Sequence, residues 1–168
     1  MDRDELRAVQ APLKDRYRAE PDQAVVTLSA SGTVGEGVSC SVATGRTLAT
    51  AGLHPASGGD GSLLCSGDML LEALVACAGV TLAAVATSLG IDISAGNVQA
   101  EGDLDFRGTL GVDREAPVGF RSIRLRFELD TAAGADQLDT LLRLTERYCV
   151  VLQTLTVSPE LSAELVRG

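Results

Sequence analysis

Residues 68–89 read DMLLEALVACAGVTLAAVATSL, and this run decides the fold. After Asp68 its one charged side chain is Glu72, and most of the remainder is Leu, Val, Ala or Gly. Gly67 or Asp68 can supply the N-cap, and Gly90 can close the C-terminus in a left-handed conformation. A helix of this length reaches across a bilayer. Glu72, the many Ala and Gly residues, and the lack of Lys or Arg at the flanks oppose that reading. A helix apolar on nearly all sides, in a chain of net charge −9, reads as central and buried. Its small residues admit close neighbours, a second subunit included.

On either side of this helix the sequence reads as a run of strands, with a further helix beyond each run. Residues 2–19 read as helix in two parts around Pro12, because proline removes an internal donor. Residues 24–29 and 34–42 suit a strand pair, residues 32–37 a hairpin turn, and residues 47–51 a third strand. Residues 52–67 read as loop around Gly58-Gly59-Asp60-Gly61. On the far side, residues 97–106 predict a strand with a bulge near Gly102. Residues 121–129 alternate cleanly, with Ile123, Leu125, Phe127 and Leu129 inward. Residues 135–148 form an amphipathic helix that residues 149–155 continue after a break, and residues 161–166 predict a last strand. The order lacks a βαβ rhythm and implies an α+β fold. The 168 residues fit one domain, 1–168, with residues 1–21 as a helical extension.

Composition excludes several functions. Aromatic residues are 3% of the chain and Trp is absent, so base-stacking platforms are not expected. The acidic balance, without a basic run, opposes nucleic-acid binding. Lys14 is the sole lysine and stands in no glycine loop, which removes Walker A and Schiff-base chemistry. His54 is the sole histidine, so multi-histidine metal sites are excluded, and neither a metal nor a cofactor is expected. No secretory signal opens the sequence, and the reading is cytoplasmic, where thiols stay reduced.

Four cysteines remain, Cys40, Cys65, Cys77 and Cys149, without metal-ribbon or Cys-x-x-Cys spacing. Cys77 lies beyond the first helical turn, where the macrodipole fades, and alone reads as a small packed hydrophobe. Cys149 follows Glu146-Arg147-Tyr148, a setting that suits partial exposure. Cys40, in an alternating strand, reads as packing, and Cys65 as a further thiol near the mouth of the central helix. His54 reads as a loop residue.

Taken together, the glycine-rich run from Gly58, the helix carrying Cys77, and the segment Thr145-Glu146-Arg147-Tyr148-Cys149-Val150-Val151 resemble proteins of the OsmC/Ohr family. Residues 102–113 are similar to one OsmC-like branch whose members carry an N-terminal helical extension. The resemblance implies sheets packed on a buried central helix, in an intertwined homodimer. It implies reduction of an organic hydroperoxide or hydrogen peroxide by Cys77, with Cys149 as the resolving thiol and an external dithiol as reductant. It also implies an arginine that activates the thiolate, assigned first to Arg46 and second to Arg107. The family's glutamate ten residues before the cysteine falls at Gly67, so Asp68 is the substitute, with helix capping as its simpler role. The proline often found after the second cysteine is Val150. The rival readings are a non-catalytic protein binding a small apolar ligand in the dimer cleft, and acyl transfer through Cys77.

Overall fold

The computed structural model describes residues 2–19, 32–34, 39–43, 48–111 and 113–167. Helix α1 spans Arg3–Ala19. Strands β1 (Gly32–Val34), β2 (Ser39–Ala43), β3 (Leu48–Gly52) and β4 (Leu64–Cys65) form one sheet in the order β1-β2-β3-β4. The first three are antiparallel neighbours, and β4 lies parallel to β3. Helix α2 (Ser66–Leu89) follows. A two-stranded antiparallel ribbon comes next, from β5 (Ala95–Leu104) and β6 (Phe120–Asp130), with the short helix α3 (Phe106–Thr109) between them. Helices α4 (Ala135–Tyr148) and α5 (Val150–Thr156) close the fold.

The long ribbon follows from its alternation. Val98, Ala100, Ile123, Leu125 and Phe127 face the helices, while Glu101, Asp103, Arg124 and Arg126 face outward. Arg124 meets both Glu101 and Asp103 on that outer face. The register slips between Asp103 and Leu104, close to the expected bulge. Helix α4 presents Leu138 and Leu141 to the core, and the Gln137 side chain accepts the Gly134 N–H at 3.2 Å to fix its start.

Helix α2 ends at Gly90, whose φ of 68° is the left-handed stop the sequence predicts. Its start differs from expectation. The N-cap is Cys65, without a side-chain cap bond, so Asp68 sits inside the first turn and caps nothing. Burial differs too. Leu74, Ala78, Leu82 and Ala86 form one fully packed stripe at a spacing of four, against α4, α5 and β5. The opposite face is open, with Val80 72% exposed. One chain has too few elements to wrap a 24-residue helix, so the expectation of burial on all sides fails for the single chain. By length and composition α2 is the one described helix apolar enough to cross a membrane, and here it packs against the fold.

Other expectations need correction. Helix α1 runs unbroken through Pro12, so one missing donor does not divide it. Besides β3, β2 pairs with residues 32–34, which the sequence places in a turn, whereas the expected strand at 24–29 lies outside the described residues. Residues 158–167 form no strand. Leu161, Leu165 and Val166 are exposed there, so the apolar pattern finds no sheet edge within this chain.

Candidate active site

The site is built around the joint between α4 and α5. Cys149 is extended (φ −72°, ψ 106°), ending one helix and opening the next. Its N–H donates to the Thr145 carbonyl at 2.9 Å, and its own carbonyl accepts the Gln153 N–H at 2.9 Å. The Gln153 side-chain amide then bridges the bend by donating to the Glu146 carbonyl at 2.8 Å. This elbow turns the Cys149 side chain inward against Leu74 and Ala78, where it is fully buried. The partial exposure expected from its charged neighbours is therefore wrong. Glu146 and Arg147 point to solvent on the far side of an amphipathic helix.

Cys77 lies on α2 beside the same cluster and is half-buried. The two thiols are neighbours, and their proton affinities diverge. Burial raises the Cys77 pKa, but the backbone of Val151, the Cys149 thiol, the backbone of Val150 and the Thr81 hydroxyl lower it, and lowering wins. The Cys149 pKa moves up, chiefly through burial; the Leu152 backbone opposes this, Cys77 adds to it, and the Val151 backbone lowers it least. A negative charge placed on the pair therefore rests on Cys77, with the proton held by Cys149. A nucleophilic sulfur beside a protonated thiol can attack an electrophile and then be attacked in turn.

The other anticipated residues fall elsewhere. Arg46 lies outside the described residues. Arg107 is held by Asp105 at 2.6 Å and Asp113 at 3.3 Å, and it is not among the groups that shift either thiol. Asp68 precedes Cys77 by nine residues, roughly 13 Å along the helix axis. His54 caps a short 3-10 turn, its Nδ1 accepting the Ala56 N–H at 3.0 Å, and stacks on Phe106. Among the described residues no cluster of His, Cys, Asp and Glu is placed to hold a metal.

Sequence reasoning sought a cation for Cys77 and overlooked Thr81 and the Val150 and Val151 amides. A threonine four positions after the cysteine was a readable signal, because it shares the cysteine's helical face. The amides carry no side-chain signature, and only the helix break at Cys149 pointed to them.

A sequence model for OsmC-like proteins matches residues 59–164. This chain belongs to the OsmC-like family. The match takes in Cys65, Cys77 and Cys149 and excludes α1 and Arg46. Solved OsmC-like structures share its fold. An OsmC-like protein from Mycoplasma pneumoniae is 19% identical, over 79% of this chain and 89% of the other, with a TM-score of 0.65. An OsmC-like protein of unknown function from Vibrio cholerae is 13% identical, over 81% and 96%, with a TM-score of 0.63. An organic hydroperoxide resistance protein OsmC from Legionella pneumophila is 16% identical, over 78% and 90%, with a TM-score of 0.61. No curated protein sequence matches the chain. OsmC-like neighbours thus include proteins of both named and unknown function, and at these identities the likeness carries the fold alone.

Proposed function

We infer that this OsmC-like chain is a thiol-dependent hydroperoxide reductase. The observation that carries the reading is the neighbouring pair Cys77 and Cys149, whose pKa values are displaced in opposite directions. The Cys77 thiolate attacks one peroxide oxygen, the O–O bond breaks, and the leaving alkoxide takes a proton to become an alcohol, or water from hydrogen peroxide. Cys77 is left as a sulfenic acid. Cys149 then attacks that sulfur, a disulfide forms, and hydroxide leaves as water with the thiol's proton. An external dithiol returns both cysteines to thiols by exchange. A reducing cytoplasm suits this cycle.

The working unit is a homodimer of single-domain chains. The open apolar face of α2 and the exposed Leu161, Leu165 and Val166 support this, because a soluble monomer rarely leaves such surfaces uncovered. Arg46 remains the candidate cation for Cys77, and Asp68 a more distant partner for it.

A second reading keeps the fold without catalysis, as a binder of a small apolar ligand in the dimer cleft. It is favoured by the lack of any described arginine at Cys77 and by Gly67 at the family's glutamate position.

The two readings part on a thiol count. Stoichiometric cumene hydroperoxide should remove two thiols from the native protein and leave a trappable sulfenic acid in Cys149→Ser. Unchanged thiols in the native protein would overturn the reductase reading and leave the binder.

A further inference from the structure

Aromatic side chains are scarce in this chain, with three Phe, two Tyr and no Trp, and His54 is the lone histidine. Yet Phe106, Phe120 and His54 all line one cavity of about 350 Å³ at the mouth of α2. It opens between β4 of the first sheet and the bulged end of the β5–β6 ribbon, with Cys65, Asp68 and Leu71 completing its wall. The packed clusters along α2 use Leu, Ala, Val, Ile and Cys, with Phe127 their one aromatic residue. Core filling therefore does not account for this gathering of rings.

The wall has a definite chemistry. His54 and Phe106 stack with ring centres 5.0 Å apart and planes 21° from parallel. Because Nδ1 of His54 accepts a backbone N–H, the neutral ring carries its proton on Nε2, which remains as a donor. Phe120 lies across Gly102, where a Cβ would come within 2.5 Å of its ring, so glycine there sets the ring's position. The thiol of Cys65 is free and partly exposed. Among the described residues, no lysine or arginine lines the cavity. Asp103 is neutralised by Arg124 and bonded by the Ser122 hydroxyl, which leaves Asp68 as the carboxylate without a charge partner among the described residues and disfavours anions.

We propose that this cavity binds an uncharged, planar quinone and that Cys65 adds to it. Aromatic walls select a flat ring, the Nε2–H suits a ring carbonyl, the carboxylate repels anions, and the thiol captures an electrophilic carbon. In the addition, Cys65 Sγ forms a bond to a ring carbon while the adjacent C=C π bond breaks and its electron pair moves to the carbonyl oxygen. The thiol proton and the displaced ring proton end on the two oxygens, giving a hydroquinone thioether without any further oxidant. The site is separate from the Cys77–Cys149 pair and does not depend on peroxide chemistry there.

The test uses the full chain as Cys77→Ser/Cys149→Ser, with substoichiometric 1,4-naphthoquinone and adducts mapped by peptide mass spectrometry. Iodoacetamide, which needs no aromatic wall, measures bare access to each thiol. Naphthoquinone should favour Cys65 over Cys40 more strongly than iodoacetamide does. Phe106→Leu and His54→Gln should each slow naphthoquinone at Cys65 by about two- to tenfold, the value of one aromatic contact. The iodoacetamide rate at Cys65 should stay unchanged in both, which also reports that the local fold is kept. A naphthoquinone rate that follows the iodoacetamide rate across thiols and variants overturns the proposal.

Discussion

Thr145 offers a sharp test of the packing behind the thiol pair. Its residue is 1% exposed, on the α4 face that meets α2, one turn before Cys149, and its Oγ1 has no hydrogen-bond partner among the described residues. A buried hydroxyl without a partner costs about 1–3 kcal/mol. Thr145→Val keeps the branched shape and the helical propensity and replaces the hydroxyl by a methyl group. The extra methyl bulk offsets part of the gain, so the expected stabilisation is about 1–2 kcal/mol. For a chain of this length that raises the melting temperature by roughly 2–8 °C. Calorimetry or thermal circular dichroism at fixed protein concentration reads the shift. The carbonyl that accepts from Cys149 belongs to the backbone and survives the change, so the rate of Cys77 alkylation should not move. A melting temperature that falls by several degrees would refute the reasoning, since it would mean the hydroxyl has a partner worth more than its burial costs.

The lowered Cys77 pKa sets a direction for pH dependence. Alkylation of Cys77 should fall on acidification with a midpoint below that of an ordinary free thiol. Thr81→Val and Cys149→Ala should each raise that midpoint, because each removes a group that favours the thiolate, and an unmoved midpoint in both would discard that account. Leu74→Ala empties a fully buried position in the cluster with Ala78 and Cys149 and should cost about 2–5 kcal/mol in urea unfolding. Val80→Asp puts a charge on the open face of α2. If that face joins two chains, light scattering should show half the native mass, and an unchanged dimer would place the interface elsewhere.

Helix α4 and the long ribbon were readable because each carries a sustained periodicity, and α2 because its apolar run is long and closed by Gly90. Residues 135–148 were bounded correctly by their apolar spacing, and residues 121–129 by alternation, each within a residue of the observed ends. The family followed from the two cysteine segments, in order and correctly separated. Three things were hidden, each for a physical reason. Residues 161–166 have a strand's composition, but composition cannot say whether an edge is available to pair with. Cys149 looked accessible because its sequence neighbours are charged, while an elbow between helices turns one side chain inward irrespective of them. The groups acting on Cys77 were missed because backbone amides belong to every residue and are selected only by conformation.

The elbow at Cys149 also bears on the protein's durability. Its sulfur and that of Cys77 stand 72 positions apart, and the whole β5–β6 ribbon and α4 lie between them. A bond joining them would tie the unfolded chain into a loop of that length, removing conformational freedom worth about 4 kcal/mol in the chain-entropy account. An oxidised molecule would then outlast a reduced one against heat and proteases, and each return to the dithiol form would give up that reserve. Thermal protection would thus report the redox state directly, without a substrate being followed.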